Sequence, residues 1–376
     1  MSQLDLMFGE IFQLLITCIT YRNLRPVREN YRHVVFSWIL TAYFVIFIFF
    51  LGRYLTQVFL NIDVTIMSKI VTSMMIPGLS QIILKNFGGT IFQKNFLILL
   101  NFVEQLYTRK EGNVWIQKIV DMELMKTIKI GNIFFRAYIL LFSFTCAGLM
   151  ITLILQDMMV ISIPNLKPED HAIIYHTIQS GTPFIAAVWN GLADFAIIFI
   201  GLCMLSFVKI INKMIASLTD EEIVVDCPDL LLRTMKKHVK MIEILGIFND
   251  GVKLMSFIQI IMSVIMYLVM MFGMQLLSSE YSLYMMFCCV LVQLFLLCVF
   301  GEIIKSETEI IFWNLYLTNW YEMNLNDQKI ILLMMMNSQN EIGLKAAGIY
   351  DVSLMAFVQI LKMSLSYSAV ILTFTK

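Results

Sequence analysis

Long apolar stretches recur along this chain of 376 residues and constrain its fold more than any other feature. A helix needs about 20 residues to cross the roughly 30 Å hydrocarbon core of a bilayer. Because the runs are continuous and do not alternate with polar residues, they predict helices rather than barrel strands. We therefore predict an all-α polytopic membrane protein with seven transmembrane helices, here called spans one to seven, in a single domain covering residues 1–376. Their approximate bounds are 34–56, 62–84, 133–156, 172–208, 251–277, 281–303 and 352–375.

The composition agrees with a membrane protein. Hydrophobic residues make up 59% of the chain and charged residues 14%, which is more apolar surface than a soluble core could bury. The 7 cysteines fall in spans or in segments predicted to be cytoplasmic, so we expect reduced thiols. The start of the chain lacks a basic segment with a cleavage site, and residues 11–20 are predicted to form an interfacial helix rather than a signal peptide.

The distribution of Lys and Arg predicts the orientation. Most of them precede span one or lie between spans two and three and between spans four and five. Positively charged loops stay in the cytoplasm. The N-terminus is therefore predicted to be cytoplasmic and the C-terminus extracellular, which is opposite to G-protein-coupled receptors. The chain also lacks their Asp-Arg-Tyr after span three and their Asn-Pro-x-x-Tyr in span seven.

The long connections on the predicted cytoplasmic side mix apolar and charged residues at helical spacing. They cover residues 101–130, 212–250 and 305–339. Such amphipathic helices would extend the spans below the membrane. We predict that they form a small helical anchor.

Two of the charges inside the predicted spans are the most informative. Asp194 lies in span four and Lys362 in span seven. A charge near the centre of a bilayer costs about 2.5 to 3.5 kcal/mol on insertion scales unless it meets water or a partner. Each residue could complete a local polar network, or it could act in gating or conduction.

No motif predicts catalysis or cofactor binding. Phosphate-binding glycine loops and the H-E-x-x-H metal signature are missing from the sequence. His171 and His176 share one exterior segment, but their spacing would not place them on one helical face. We expect no enzyme activity, no cofactor, no metal and no nucleic-acid partner.

The exterior halves of spans two, three, four and six combine sulfur, aromatic and small polar side chains. Such stripes commonly pack a helix core, but around a cavity they would suit a small, mostly apolar molecule. The candidate ligand-binding residues are Met67, Val71, Met74, Met75, Thr145, Gly148, Thr152, Tyr175, Gln179, Thr182, Tyr281, Tyr284, Phe287 and Cys288.

The last third of the chain resembles the insect odorant receptor family. The order and spacing of several short motifs carry the resemblance, and a looser similarity extends upstream over 231–238 and Phe248. The motifs are Gln293-Leu294-Phe295, Cys298-x-Phe300-Gly301, Trp320-Tyr321, Ala347-Gly348, Ser353-Leu354, Phe357, Ile360-x-Lys362 and Ser366-Tyr367-Ser368.

This resemblance implies an odorant-specific subunit of a non-selective cation channel in the plasma membrane of olfactory neurons. Its partners would be co-receptor subunits in a heterotetramer, membrane lipid and a volatile odorant. The chain resembles a tuning subunit, because it lacks the long insertion between spans four and five that marks the co-receptor. The odorant would bind between spans two, three, four and six and would open a pore lined by span seven.

The resemblance also implies the position of the pore. Its constriction would fall near Val370 and Phe374, with Thr373 as a polar neighbour. The co-receptor carries aliphatic residues and a Gln on this face. Phe374 and Thr373 depart from that pattern, which implies unequal roles for the two kinds of subunit.

Two alternatives remain at this point. Gustatory receptors share the inverted topology, but they usually close with a Gln-Phe pair, and no Gln follows Ser366-Tyr367 here. A transporter should show repeats or paired broken helices. Pro77 and Pro183 interrupt spans two and four without corresponding halves.

Overall fold

The chain forms a bundle of long helices in the computed structural model. The model describes residues 3–22, 24, 32–60, 66–155, 158, 160–164, 170–277 and 280–375. The helices are α1 (Gln3–Arg22), α2 (Arg32–Leu60), α3 (Ile66–Ile91), α4 (Gln93–Thr108), α5 (Val114–Leu155), α6 (Ala172–Ala216), α7 (Glu221–Asp226), α8 (Leu230–Leu276), α9 (Tyr281–Tyr316), α10 (Leu325–Asn337) and α11 (Leu354–Thr375), with 3-10 turns at Ser217–Thr219 and Trp320–Glu322.

The seven predicted spans are confirmed as helices. Among the described residues, seven helices are long and apolar enough to cross a bilayer: α2, α3, α5, α6, α8, α9 and α11. Continuous helix satisfies every backbone hydrogen bond within the segment, which hydrocarbon requires. Residues 62–65 and 156, which the predicted spans include, lie outside the described residues.

Four spanning helices continue far beyond their apolar runs, all at the same end of the bundle. At this end α5 and α8 begin before the first residue of their predicted spans, and α6 and α9 end after the last residue of theirs. The short helices α4, α7 and α10 lie at this end too. We call it the connector end, and the opposite end the short-loop end.

Helix α6 forms the centre of the bundle, and it is the most buried of the seven spanning helices. It packs against α5, α8 and α9, while α3 packs along α8, and α2 lies against α3. Helix α11 contacts α8 and α9 at the edge of this arrangement. Helix α6 therefore contacts most of the elements that could surround an internal site.

Ion pairs join the helices at the connector end. Lys213 Nζ lies 2.6 Å from Glu123 Oε1, which connects α6 to α5. Lys209 pairs with Glu307 at 3.4 Å, which connects α6 to α9. The amphipathic sequence of the connections thus folds into a charged helical layer.

A two-stranded antiparallel hairpin introduces α11. Its strands are β1 (Lys345–Ala346) and β2 (Tyr350–Asp351), paired in the register Lys345 with Asp351. Gly348 in the turn has a φ of 78°, a backbone conformation that suits glycine. The amide of Val352 then donates to the carbonyl of Leu344 at 2.9 Å. The hairpin therefore fixes the point at which α11 leaves the connector end.

The first turn of α11 is capped by its own chain and by α9. Ser353 Oγ accepts from the amide of Ala356 at 3.2 Å, as an N-cap serine does. A carboxylate oxygen of Glu302 on α9 accepts from the amide of Leu354 at 3.2 Å. Both contacts satisfy amides that no helical carbonyl reaches, so the start of α11 is tied to α9.

Candidate functional site

A cavity of about 150 Å³ lies inside the bundle between α3, α5, α6, α8 and α9. Five helices contribute to its wall, and Pro183 of α6 is part of it. The lining residues are Met74, Met75, Gly78, Leu79, Gln81, Ile82, Phe142, Thr145, Cys146, Leu149, Pro183, Ala186, Ala187, Asn190, Met266, Met270, Met286, Cys289, Val290 and Gln293.

Most of the cavity wall is apolar and rich in sulfur. Methionines from α3, α8 and α9 face cysteines from α5 and α9. Unbranched thioether side chains change rotamer at low cost and make favourable contacts with aromatic rings. A cavity of about 150 Å³ with apolar walls is large enough for a molecule of benzene size. The chemistry of this wall fits a small, largely apolar ligand.

One end of the cavity is polar. Gln81 of α3, Asn190 of α6 and Gln293 of α9 line it, and all three side chains are at least nine-tenths buried. Asn190 and Gln293 are the lining residues of α6 and α9 that lie nearest the connector end. On α3 only Ile82 lies further toward that end than Gln81. The cavity thus has an apolar body and an amide-lined floor.

A buried ion pair lies behind this floor. Lys85 Nζ of α3 is 2.7 Å from Asp194 Oδ1 of α6, and the lysine side chain is only 2% exposed. The ammonium also donates to Asn190 Oδ1 at 3.3 Å and to Gln259 Oε1 at 2.5 Å. Pairing with opposite charge and amide dipoles is what makes a lysine tolerable at this depth.

The aspartate of the pair has further partners. Asp194 Oδ2 accepts from Tyr138 Oη at 3.0 Å and from the Gln293 amide at 2.5 Å. Gln81 in turn donates to Gln259 Oε1 at 2.5 Å. One polar network therefore connects α3, α5, α6, α8 and α9 directly below the cavity. This places Asp194 in a local polar network, the first of the two roles considered from the sequence.

The cavity includes three of the candidate ligand-binding residues: Met74, Met75 and Thr145. Met67 and Val71 lie nearer the start of α3 and are buried in the core of the bundle. The structure thus separates the predicted stripe on α3 into cavity wall and helix packing.

Other candidates on α5 and α6 pack the helices or hold the connecting chain. Gly148 faces Met285 of α9, and Thr152 Oγ1 donates to the backbone carbonyl of Gly148 at 2.9 Å. Gln179 donates to the carbonyl of Met158 at 2.6 Å and accepts from the amide of Val160, and Tyr175 Oη accepts from the amide of Ile163. Thr182 bonds Tyr43 of α2.

On α9 the candidates and the cavity residues occupy different faces. Tyr281, Tyr284 and Cys288 are exposed on the outside of the bundle, and Phe287 packs its ring on Tyr267 of α8. The cavity is lined instead by Met286, Cys289, Val290 and Gln293, which repeat at helical spacing. Both sets look alike in sequence, and only contact with the neighbouring helices distinguishes them.

The candidate pore residues lie at the end of α11. Val370 is 49% exposed, and Thr373 Oγ1 donates to its carbonyl at 2.7 Å. Phe374 lies in the last turn of the helix, but its side chain is outside the described part of the chain. Ser364 and Ser368 face the bundle and are buried, whereas Tyr367 faces outward.

Sequence reasoning missed Lys85, Asn190 and Gln259 as members of the site. Span two was predicted to end at residue 84, which left Lys85 in a loop, whereas α3 continues to Ile91. The signal was available in Asp194, since an aspartate inside a span requires a partner. Lys85 is the basic residue at matching depth.

Comparison with known proteins agrees with this architecture. The insect olfactory receptor OR5 from Machilis hrabei, solved in complex with eugenol, superposes with a TM-score of 0.77 at 13% identity, covering 99% of this chain and 98% of that chain. A second structure of the same receptor gives a TM-score of 0.77 and 13% identity, with 99% of each chain covered. At this identity the likeness shows a shared fold. No curated protein matches the chain in sequence.

The sequence itself identifies the family. The family model described as 7tm Odorant receptor matches residues 90–365, well over half of the chain. The matched region includes α5, α6, α8 and α9, which form most of the cavity wall. The chain belongs to the 7tm odorant receptor family.

Proposed function

We propose that this odorant receptor is the odorant-specific subunit of a heteromeric cation channel. Its ligand would occupy the cavity between α3, α5, α6, α8 and α9. The observation that carries the proposal is that five spanning helices line a cavity of about 150 Å³ with a sulfur-rich apolar wall. The solved relative in complex with eugenol, a small aromatic molecule, supports a ligand of this chemical kind.

Helix α11 supports the pore part of the proposal. Its buried residues recur every four positions, as in Ile360, Ser364 and Ser368, and this stripe contacts α8 and α9. The opposite face exposes Tyr367, Val370 and other large side chains. An exposed face of this kind can meet neighbouring subunits or line a shared pore.

The connector end supports the predicted orientation. Its layer of Lys and Glu pairs suits the cytoplasmic side of the plasma membrane, where basic residues accumulate. We place the N-terminus there and the C-terminus outside. Membership of the odorant receptor family favours odorants over the tastants of the gustatory alternative.

Ligand gating needs only a difference in affinity between two states. A ligand that binds the cavity more tightly when α11 takes its open position shifts the population toward that position. A molecule of benzene size has few heavy atoms, each contributing at most about 1.5 kcal/mol, so we expect micromolar half-maximal concentrations.

Co-expression with a co-receptor in a cell that has no odorant response of its own tests this function. A panel of small aromatic odorants is expected to evoke cation currents that require both subunits. A chain that reaches the surface and gives no odorant-dependent current with any co-receptor would refute the proposed channel function.

Filling the cavity is expected to weaken every odorant response. Ala187 of α6 lines the cavity, and a phenylalanine there would take up most of the free volume. We expect Ala187→Phe to raise the half-maximal odorant concentration at least about tenfold, equivalent to about 1.4 kcal/mol of lost binding. Ala137→Phe is the matched control, because Ala137 is exposed on the outside of α5. Equal responses of both variants would place the ligand elsewhere.

A further inference from the structure

The floor of the cavity consists of side-chain amides, and an amide can present either of its two ends. The oxygen accepts hydrogen bonds, whereas the nitrogen donates them. Which end of Gln81, Asn190 and Gln293 faces a ligand decides the kind of ligand that fits. The ion pair behind the floor settles this orientation.

Lys85 fixes two of the three amides. An ammonium group only donates, so the amide oxygens of Asn190 and Gln259 must face it. The Gln259 oxygen is then the acceptor for Gln81, which must approach with its nitrogen. As a consequence, the amide nitrogen of Asn190 and the amide oxygen of Gln81 remain available to a ligand in the cavity.

Asp194 fixes the third amide. An ionised carboxylate only accepts, so Gln293 must present its nitrogen to Asp194. Its oxygen is the end that remains for the cavity. The floor then offers carbonyl oxygens from Gln81 and Gln293 and an N–H donor from Asn190, all within one buried polar surface.

We propose that this floor selects odorants that carry a hydroxyl group, meaning small alcohols or phenols with an apolar body. A hydroxyl can donate to a glutamine oxygen and accept from the Asn190 nitrogen at once. An ether or ester oxygen can only accept, and a hydrocarbon can do neither. This inference rests on the proposed binding of odorants in the cavity and adds the chemical class of the ligand.

The cost of a mismatch follows from burial. A ligand without hydrogen-bonding groups covers the floor amides and separates them from water without replacing those bonds. Sites built around buried polar groups reject such analogues more strongly than apolar sites reject an extra methylene group. The apolar wall sets the size limit, and the floor sets the selectivity.

Three probes of nearly equal size test the proposal. Benzyl alcohol donates and accepts, anisole only accepts, and ethylbenzene does neither. With the co-expressed receptor, the half-maximal concentration of benzyl alcohol is expected to be at least about tenfold lower than that of ethylbenzene. Anisole is expected to lie between them. A receptor that responds to all three without this order would overturn the proposal.

Variants of the floor should remove the preference. In Gln81→Met and in Asn190→Leu, the half-maximal concentration of ethylbenzene is expected to exceed that of benzyl alcohol by only about threefold or less. Met74→Leu is the matched control, because Met74 belongs to the apolar wall. It should change all three responses alike. If both floor variants kept the wild-type ratio of half-maximal concentrations between ethylbenzene and benzyl alcohol, the floor would not select hydroxyl-bearing odorants.

The orienting effect of the ion pair has its own readout. Asn in place of Asp194 has nearly the same shape but can donate as well as accept, so Gln293 can turn its amide. In Asp194→Asn the ratio between the half-maximal concentrations of anisole and benzyl alcohol is expected to narrow. An unchanged preference would restrict the ion pair to a structural role and overturn this step.

Binding by the purified receptor separates this inference from the channel proposal. Benzyl alcohol should raise the thermal midpoint of the wild type more than ethylbenzene at equal concentration, and the floor variants should lose the difference. If this holds without any current, the channel function fails and the ligand class stands. If currents occur but neither currents nor midpoints distinguish the probes, the ligand class fails.

Discussion

Replacing Asp194 with leucine is expected to lower the free energy of unfolding by about 3 to 5 kcal/mol. The change leaves the ammonium of Lys85 buried without its counter-charge, which is among the most costly single changes in a protein interior. Tyr138 and Gln293 lose their acceptor as well. Thermal unfolding of the purified receptor in detergent measures the effect as a lower midpoint, and surface expression should fall in parallel.

The double variant Lys85→Met with Asp194→Leu provides the decisive comparison. Removing both charges eliminates the unpaired ion, so the double variant should be more stable than Asp194→Leu alone. Asp229→Asn is the control, because Asp229 pairs with Arg233 on an exposed helix turn. Exposed pairs contribute about 1 kcal/mol or less. If Asp194→Leu were as stable as the wild type, the ion pair between α3 and α6 would not contribute to the stability of the bundle.

Replacing Gly301 with alanine is expected to destabilise the junction between α9 and α11 by about 1 to 3 kcal/mol. A Cβ atom at this position would overlap the carbonyl oxygen of Val352, a backbone atom that cannot move aside as a side-chain end can. The hairpin and the Glu302 cap fix Val352 and Leu354 close by. The start of α11 must therefore shift, and the odorant response should change together with stability.

Gly246→Ala is the matched control for this junction. A Cβ atom on Gly246 meets no atom within 4 Å, and the residue lies on an exposed helix turn of α8. Alanine there should raise stability by up to about 1 kcal/mol, because it favours the helix. Thermal midpoints and odorant dose-response curves of both variants distinguish the cases. Wild-type behaviour of Gly301→Ala in both measurements would mean that the contact with Val352 is easily relaxed.

The local pattern of the sequence was sufficient to predict the seven helices. Continuous apolar runs have one stable solution in hydrocarbon, and α2, α3, α5, α6, α8, α9 and α11 follow them. The ends of these helices were predicted less well. The sequence predicted amphipathic extensions at the connector end, but not the residues at which α5 and α8 begin.

The candidate site was predicted only in part. Met74, Met75 and Thr145 line the cavity, whereas Tyr281 and Cys288 lie on the outside of α9. On a helix that is apolar on all sides, composition does not distinguish the face that contacts lipid from the face that contacts protein. That choice depends on which neighbours pack against the helix. The pore residues Val370, Thr373 and Phe374 remain a prediction.

The sequence by itself determined that this protein is a helical membrane protein, because long apolar runs leave no other stable arrangement. Residues 90–365 of the sequence also match the model of the odorant receptor family. Only the tertiary structure brought Lys85, Asp194 and the amides of Gln81, Asn190 and Gln293 to one place, since they come from three helices far apart in the chain. Charge pairing across helices depends on which helix faces meet, and a linear pattern does not show which faces meet.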